Sequence, residues 1–289
     1  MNNNVIKLKK ILNNPKLWIE NLLHIVDKRG NLVPFKLNEL QDEFLESMDK
    51  YNIILKSRQL GFSVLMTAYS LFLATTQANS TCLLMSYSID SATGIFEKLK
   101  QMYYTIPEVL RPKLINNNKK ELKFTNGSRI IVATCGNKDV ARGLTLKFCH
   151  LSEVAFMKDT LPKQLLAIEQ ALVPTGKIVL ESTANGLNYF SEIWDKAKNG
   201  ENMYKPYFAN WYENKTMFAD DYKNAVEIWK ARNNGNVLTK GELDAEELDL
   251  YTKGATIEQL IWRRLKIANN GGGDRGLLSF HQEYPSTDV

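Results

Sequence analysis

A short segment at positions 56–63 has several features of a phosphate-binding loop. It follows the apolar run Tyr51–Leu55 and precedes an apolar stretch of helical character that begins at Val64. The usual pattern is G-x-x-x-x-G-K-[ST], in which backbone N–H groups surround the phosphates, a lysine reaches the outer oxygens and a hydroxyl holds Mg²⁺. Gly61 and Ser63 match the second glycine and the hydroxyl. The segment predicts a polyphosphate site, with a basic surface turn as the alternative.

The loop departs from this pattern at its lysine and at its first glycine. Phe62 occupies the lysine position, and Lys56 stands where the first glycine is expected. Because Phe62 carries no charge, the positive charge that a polyphosphate requires would come from Lys56 and Arg58. The candidate phosphate-binding residues are Lys56, Ser57, Arg58, Gln59, Leu60, Gly61, Phe62 and Ser63.

A second candidate segment is the end of the apolar strand Phe148–Leu151, which continues into Ser152 and Glu153. It lies roughly ninety residues beyond the loop, a separation compatible with the metal-and-water strand of P-loop enzymes, which normally ends in Asp-Glu. A glutamate here can orient the water that attacks a γ-phosphate, so Glu153 is the candidate catalytic residue. Ser152 replaces the aspartate, so Ser63, the phosphates and waters would hold Mg²⁺, with Ser152 at most an indirect contact. The alternative is a strand end capped by Ser-Glu.

A third strand, Lys177–Glu181, ends in a cluster of hydroxyl and amide side chains. In open α/β sheets, ligands bind at the carboxyl ends of the strands, so this cluster can register whether a γ-phosphate is present. A polar turn that ends at Gly186 is the alternative interpretation. The residues of this candidate coupling motif are Ser182, Thr183, Ala184, Asn185 and Gly186.

Arg142 lies shortly before the Glu153 strand, next to Gly143. The glycine allows the chain to turn and expose the guanidinium, which can then act as an arginine finger on the nucleotide of a neighbouring subunit. Such a residue stabilises charge on the transferred phosphoryl group and is worth ~10³–10⁵ in rate. A solvated surface arginine is the alternative, since most arginines are exposed.

These candidate residues require a framework of alternating strands and helices. Short apolar strands recur between helical patterns at positions 53–55, 81–86, 148–151 and 178–180. This alternation predicts an α/β fold with a mostly parallel sheet and helices on both faces. The exceptions are a helical N-terminal region from Val5 to Met48, an antiparallel hairpin around Asn126-Gly127, and helical patterns after Asn210 followed by a flexible joint at Gly271–Gly273.

The composition sets broad limits on the class of protein. The chain has 289 residues, of which 44% are hydrophobic and 24% charged, and a net charge of +5 that permits contact with an anionic polymer. Three widely spaced cysteines and three scattered histidines do not indicate a zinc site, and a reducing, cytosolic compartment is expected. No apolar run approaches a membrane span and the polar N-terminus is not a secretory signal, so we expect a soluble protein without membrane contact.

The motifs together resemble the large terminase subunit of tailed bacteriophages. The order and spacing agree, and the resemblance spans residues from about 35 to 285. A phosphate loop with its lysine moved to the first position also occurs in that family. The segments that carry the resemblance are residues 56–63, His150 to Phe156, Glu181 to Gly186, and Phe280-His281-Gln282-Glu283-Tyr284-Pro285.

The resemblance implies a P-loop NTPase of the additional-strand type with a small helical subdomain. Such a protein uses ATP and Mg²⁺ to pump double-stranded DNA into a procapsid. It would work as a homo-oligomeric ring of otherwise monomeric chains docked on the portal protein, with the small terminase subunit as a further partner. The implied location is the host bacterial cytoplasm, at the portal vertex of the procapsid.

The resemblance also assigns roles by position. Lys56, Arg58 and Ser63 would bind phosphates and Mg²⁺, and Glu153 would activate water. The residues from Ser182 to Gly186 would couple hydrolysis to movement, and Arg142 matches an arginine that acts in trans. Gln41 matches the adenine-contacting glutamine region, and its alternative interpretation is an exposed helix residue.

The implied domain organisation is an N-terminal helical segment (1–34), a P-loop ATPase core (35–210), a helical subdomain (211–270) and a linker (271–289). Members of the family usually carry a nuclease domain after this point. We therefore expect an isolated ATPase portion without DNA cleavage.

Two other functions remain open at this stage. A helicase-like translocase shares the loop and the acidic strand, but it needs a second motor-like domain for which 289 residues leave no room. A nucleic-acid-binding or scaffolding module with a decayed nucleotide site is the other, motivated by Phe62 and Ser152. Nucleotide binding would distinguish it from an ATPase.

Overall fold

A computed structural model of the chain describes residues 3–118, 120–136, 140–157 and 161–288. Its strands are β1 (His24–Val26), β2 (Leu32–Pro34), β3 (Tyr51–Lys56), β4 (Thr81–Ser86), β5 (Leu114–Asn117), β6 (Glu121–Phe124), β7 (Arg129–Thr134), β8 (Leu146–Ser152), β9 (Leu172–Ser182) and β10 (Lys205–Ala209). Its helices are α1 (Asn3–Asn13), α2 (Pro15–Leu22), α3 (Glu39–Ser47), α4 (Phe62–Thr76), α5 (Ile89–Thr105), α6 (Leu161–Ala171), α7 (Tyr189–Lys198), α8 (Ala219–Arg232), α9 (Ala245–Thr252), α10 (Ile257–Asn269) and α11 (Gly273–Glu283).

Within these ranges, eight strands form one sheet in the order β10-β3-β9-β8-β4-β7-β6-β5. The strands from β10 to β7 are parallel, and β6 and β5 continue the sheet antiparallel. Strand β9 is inserted between β3 and β8, which is the arrangement of the additional-strand P-loop class. The predicted fold class is therefore confirmed, as is the hairpin at Asn126-Gly127, where Gly127 has φ 83°.

The central strands are buried on both faces, which explains their nearly continuous apolar sequences. In β3, Ile54 packs with α4 and α5 on one face of the sheet, whereas Ile53 and Leu55 pack with α6 and α7 on the other. Helix α4 follows the candidate loop directly and is buried over most of its length. Among the described residues, no helix combines the length and the apolar composition needed to cross a lipid bilayer.

The register of the parallel strands brings their carboxyl ends to one edge of the sheet. Leu55 pairs with Ser182 across β3 and β9, and Ser152 pairs with Glu181 across β8 and β9. The candidate loop, the acidic strand end and the candidate coupling motif therefore emerge side by side, as the rule for open α/β sheets predicts.

The prediction of a helical N-terminal region from Val5 to Met48 is wrong between α2 and α3. The strands β1 and β2 form an antiparallel hairpin there, with His24 opposite Pro34. The turn is held by Asp27, whose Oδ1 accepts hydrogen bonds from the backbone of Arg29 at 2.9 Å and of Asn31 at 2.8 Å. An aspartate that bonds the backbone two residues ahead favours a turn over a helix, a signal that the helical pattern concealed.

The helical patterns predicted after Asn210 correspond to α8, α9 and α10. The glycines 271–273 form a turn between α10 and α11, and all three have positive φ. Helix α11 places the fully buried ring of Phe280 5.6 Å from Trp211 and 5.9 Å from Trp262. Residues 271–289, predicted as a linker, thus contribute a helix to the core, while the domain boundaries themselves stay a prediction.

Replacement of Phe280 by alanine tests this contribution. Phe280→Ala should lower the free energy of unfolding by about 3–5 kcal/mol, because it removes a fully buried ring and leaves a cavity. Leu278→Ala is the matched control on the same helix, since Leu278 is 69% exposed, and a surface change of this kind alters stability by about 0.5 kcal/mol or less. Equal, small effects of both substitutions in urea denaturation would show that α11 does not belong to the folded core.

Candidate functional site

The loop between β3 and α4 has the backbone geometry of an anion site. Gln59 and Gly61 adopt left-handed conformations, with φ 63° and 78°, and these reverse the chain before α4 begins. The first N–H groups of a helix have no acceptor within the helix, and the helix dipole adds partial positive charge at the same end. An anion held at this helix start therefore meets several backbone donors at once.

The N-terminal end of helix α3 forms hydrogen bonds with the backbone of the loop. The Gln41 amide donates to the carbonyl of Gly61 at 2.8 Å and accepts from the backbone of Asn38 at 3.1 Å, and the Asn38 amide donates to the carbonyl of Leu60 at 3.2 Å. Gln41 is 3% exposed, so the alternative of an exposed helix residue is wrong. Contact between Gln41 and an adenine ring stays a prediction.

Lys56 is a buried cation between two carboxylates. It is 4% exposed, and its Nζ lies 3.2 Å from Oε1 of Glu153. Burial alone would lower the pKa of Lys56, but the charges of Glu181 and Glu153 outweigh it and raise the pKa above its usual value. The cation of the loop therefore sits at its first position, where the sequence predicted it.

Phe62 fills the core at the position where the usual pattern has lysine. It is 1% exposed and packs edge-on against Phe44, with ring centroids 5.7 Å apart. A second ring contact, with Tyr207 at 6.0 Å, also holds the side chain in the core. Its absence of charge is explained by packing and does not indicate decay of the site.

Glu153 begins the turn after β8 in a left-handed conformation, with φ 60° and ψ 48°. Such a conformation costs a residue other than glycine about 1–3 kcal/mol, and it persists where surrounding contacts demand it. Its side chain is 26% exposed, with one oxygen on Lys56. The structure therefore brings the predicted catalytic carboxylate to the loop and leaves it accessible to water.

The hydroxyls of Ser63 and Ser152 both contact the carboxylate of Glu181, a residue that the sequence motifs did not indicate. Ser152 donates to Oε1 of Glu181 at 2.9 Å, Ser63 donates to the same oxygen, and the two hydroxyl oxygens lie 3.2 Å apart. Glu181 is fully buried, and Nε2 of His150 lies 3.3 Å from its Oε1. Burial would raise the pKa of Glu181, but the charge of Lys56, followed by His150 and Ser63, lowers it to about 2.

A signal for these missed residues exists in the sequence. Glu181 ends the apolar strand that begins at Ile178, and His150 interrupts the apolar end of β8. Ionisable side chains are rarely fully buried unless they are paired, so each one in a buried strand suggests a partner across the sheet. Which strand holds that partner depends on strand order, which the sequence pattern does not specify.

The oxygen atoms of this cluster fit Mg²⁺. This ion prefers oxygen ligands and is usually bound through one or two carboxylates together with phosphate oxygens and water. The second oxygen of Glu181, Oε2, is buried without a hydrogen-bond partner in the described part of the chain. Ser63, Ser152 and Glu181 are therefore the residues able to hold the metal.

A cavity of about 610 Å³ adjoins the loop and combines two kinds of surface. Its lining includes Lys56, Ser63 and Glu153. It also includes apolar residues, namely Ile25, Val26, Phe35 and Met217. Basic residues lie along the same cavity, namely Lys28, Arg29, Lys36, Arg58 and Lys98. The arrangement can hold a nucleoside polyphosphate.

The candidate coupling motif forms hydrogen bonds with the turn that contains Glu153. Ser182 accepts a hydrogen bond from the backbone of Ala155 at 3.1 Å, and the Asn185 amide donates to the carbonyl of Ala155 at 3.0 Å. Thr183 lines a small cavity next to Glu153. Ala184 is half-buried, and Gly186 turns the chain with φ 67°.

Arg58 is bound to the end of α11 by two contacts. Its backbone donates to the carbonyl of Glu283 at 2.8 Å, and its guanidinium lies 2.9 Å from the Glu283 carboxylate, which raises the pKa of Arg58. The guanidinium must leave this carboxylate to reach a phosphate, so its phosphate-binding role stays a prediction. The neighbouring Ser57 donates its backbone N–H to Ala209 at 2.8 Å.

Arg142 lies outside this cluster. It is exposed and borders a separate cavity of about 520 Å³, together with Lys163 and Leu166. Within one chain, the structure does not bring Arg142 to the phosphate loop. A role in the site of a neighbouring copy is compatible with this position and stays a prediction.

Known proteins resemble this chain in fold but share little of its sequence. No protein-family profile matches the sequence. The large terminase ATPase domain of Thermus phage P74-26 is similar in structure, with a TM-score of 0.59 and 19% identity over 88% of this chain and 95% of that domain. The HK97 bacteriophage large terminase is similar with a TM-score of 0.64 and 16% identity over 96% of this chain and 55% of that protein.

The large terminase from a thermophilic bacteriophage is also similar, with a TM-score of 0.52 and 15% identity over 66% of this chain and 50% of that protein. This chain thus spans about half the length of the HK97 protein and of this thermophilic relative. The resemblance to large terminase subunits is confirmed at the level of the fold.

Removal of the Lys56 charge tests the buried ion cluster. Lys56→Met should lower the free energy of unfolding at pH 7 by about 3–5 kcal/mol, because it leaves Glu181 buried without its counter-charge. Glu181 keeps its charge down to about pH 2 in the folded parent, against an ordinary pKa of 4.5. The stabilisation is therefore complete above pH 4.5 and is lost as the pH falls towards 2.

The difference in stability between parent and Lys56→Met should accordingly be largest at pH 7 and shrink below pH 4.5, as followed by urea denaturation at several pH values. Lys230→Met is the control, since Lys230 forms an exposed pair with Glu227, and such pairs contribute little. A difference for Lys56→Met that did not change with pH would argue against the buried pair.

Proposed function

We propose that this chain is the ATP-hydrolysing motor domain of a viral DNA-packaging terminase, which couples ATP hydrolysis to translocation of double-stranded DNA into a procapsid. The observation that carries the proposal is the meeting of Lys56, Glu153 and Ser63 near one helix start, although Glu153 lies 97 residues beyond Lys56 in the chain. A phosphate site needs Lys56 and Ser63, and hydrolysis needs Glu153.

ATP would bind with its phosphates at the start of α4 and its base near Phe35 and Met217. Backbone N–H groups and Lys56 would neutralise the phosphates, while the Ser63 hydroxyl, the phosphates and waters would hold Mg²⁺, with Ser152 as an indirect contact. When bound, the metal supplies positive charge to the phosphate oxygens and fixes their orientation.

Hydrolysis would depend on Lys56, which can bind either the Glu153 carboxylate or the γ-phosphate. In the structure its Nζ lies on the Glu153 carboxylate. A γ-phosphate gives Lys56 a more highly charged partner, and the Glu153 oxygen then becomes available to accept a hydrogen bond from the attacking water. Orientation of this water by a carboxylate is the protein's main chemical contribution in such enzymes.

Coupling would run through the contacts around Ala155. Movement of Glu153 displaces Ala155, which Ser182 and Asn185 hold. Asn185 accepts a weak hydrogen bond from Gln282 of α11 at 3.4 Å, and the adjacent Glu283 binds Arg58 of the loop. Polar contacts thus connect the candidate nucleotide site to α11 in two places, through Asn185 and through Arg58.

The partners follow from the same proposal. A terminase motor of this kind would act on double-stranded DNA as a ring of copies on the portal protein, with the small terminase subunit as a further partner. The net charge of +5 is compatible with contact to DNA phosphates. The place of action would be the host bacterial cytoplasm, at the portal vertex.

A nucleic-acid-binding module with a decayed nucleotide site is less well supported. The two substitutions that motivated it, Phe62 and Ser152, each have a physical explanation: Phe62 packs in the core, and Ser152 bonds a buried carboxylate. Lys56 lies within hydrogen-bonding distance of Glu153, and the charge of Glu181 acts on Lys56 as well.

Steady-state hydrolysis of Mg²⁺-ATP at high protein concentration, with and without double-stranded DNA, tests the proposal. Lys56→Ala and Glu153→Gln should each lower kcat by ~10²–10⁴, because one removes the phosphate cation and the other the group that orients water. Glu153→Gln should still bind ATP, since its side chain does not carry the phosphates. Glu201→Gln, an exposed carboxylate outside the site, is the control.

Turnover that survived both substitutions would place the reaction elsewhere in the sample or the chain. Absence of both turnover and nucleotide binding in the parent would favour the decayed module.

A mixing experiment tests Arg142. If this residue acts on the nucleotide of a neighbouring copy, Arg142→Ala should lower the rate by ~10³–10⁵ within the assembly. A mixture of Arg142→Ala and Glu153→Gln chains should regain activity, because each chain supplies the group that the other lacks. Arg232→Ala is the control at an exposed arginine. A mixture no more active than its two components would contradict action in trans.

A further inference from the structure

The most informative feature outside the predicted site residues is the position of Glu181. Its Oε1 accepts hydrogen bonds from both Ser63 and Ser152, and its side chain is fully buried at the carboxyl end of β9. Nothing in the motif pattern assigns a role to this residue. It precedes the candidate coupling motif and comes from a different strand than the expected acidic pair.

We propose that Glu181 is the acidic residue of the metal site, relocated from β8 to the neighbouring strand β9. The inference rests on the proposed function and deepens it. Ser152 occupies the place of the expected aspartate, and the sheet register pairs Ser152 directly with Glu181. The carboxylate therefore lies beside the position where the aspartate is expected, on the adjacent strand β9.

The hydrogen bonds of Glu181 orient the two hydroxyls for metal binding. A serine hydroxyl has one hydrogen to donate and two lone pairs to offer. Because Ser63 and Ser152 both donate to Glu181 Oε1, their lone pairs remain available to a cation. The unpartnered Oε2 of the same carboxylate adds a further oxygen, directly or through a water molecule.

Glu153 cannot fill this position in the structure. Its carboxylate is turned to Lys56 and lies on the solvent side of the cluster, with 26% of the side chain exposed. Glu181 instead contacts the loop hydroxyl itself. The two glutamates thus have different roles. Glu153 is accessible to water, and Glu181 contacts the hydroxyls of Ser63 and Ser152.

A simpler role for Glu181 is that of a counter-ion for Lys56. Both roles predict lower stability when its charge is removed, so stability does not distinguish them. They differ in metal dependence, since a counter-ion that does not touch the metal ligands leaves the affinity for the metal unchanged.

The test is Mn²⁺ binding to the protein with a non-hydrolysable ATP analogue, followed by electron paramagnetic resonance. Glu181→Gln should lower the affinity for Mn²⁺ by about 10–100-fold, as is usual when a group that orients a metal ligand is removed. Its affinity for the analogue in EDTA should stay near that of the parent, which also shows that the site is folded. Glu153→Gln, the control, should keep an Mn²⁺ affinity close to that of the parent.

Glu181→Asp covers the case in which the neutral variant does not fold. It keeps the charge beside Lys56 but withdraws the carboxylate from the hydroxyls by one methylene, so Mn²⁺ should bind more weakly than to the parent. Parent-like Mn²⁺ affinity in either folded variant would overturn the inference while the proposed function stands. A parent that binds no analogue, with or without metal, would contradict the proposed function and the inference together.

Discussion

The structure of the site depends on one buried charge, that of Lys56. A lysine that is 4% exposed requires compensating anions, because an unpaired buried charge costs several kcal/mol. Two carboxylates supply the compensation, Glu153 from the turn after β8 and Glu181 from β9. Strand order makes this possible, because β9 runs between β3 and β8. The order thus brings a second carboxylate towards the cation at the first position of the loop.

The same cluster explains the two departures from the usual motifs. When the lysine stands at the start of the loop, position 62 is free to hold a core aromatic residue, and Phe62 packs on Phe44. When a carboxylate stands at the end of β9, position 152 needs only a hydroxyl to bond it. Each substitution is local in sequence, and its compensation lies on a neighbouring element.

Much of the fold was predictable because its signals are local. The strands β3, β4 and β8 and the second half of β9 are short and largely apolar, and α8 to α10 have clear helical periodicity. The hairpin β1–β2 was not predicted, since its three-residue strands carry too little pattern and its turn depends on the Asp27 side chain. The burial of α11 was missed for another reason: glycines 271–273 suggest a joint, and only the aromatic cluster around Phe280 shows where the following helix packs.

Within the site, the loop and Glu153 could be selected from sequence because their motifs are contiguous. Glu181 and the supporting role of Gln41 could not, since both depend on contacts between segments far apart in the chain. The link from Glu153 through Ala155 to α11 is of the same kind, because each contact in it joins two different elements. Sequence patterns identify groups with the right chemistry, and strand order decides which of them meet.

Lys56 and Ser63 are proposed to form a working phosphate site in which the lysine stands at the first position of the loop. The most direct measurement is a crystal structure of the chain with Mg²⁺ and a non-hydrolysable ATP analogue. The predicted result is a γ-phosphate at the start of α4, with Lys56 Nζ turned from Glu153 to the phosphate oxygens and the metal beside Ser63. A bound analogue whose phosphates lie away from α4, with Lys56 still on Glu153, would contradict the claim.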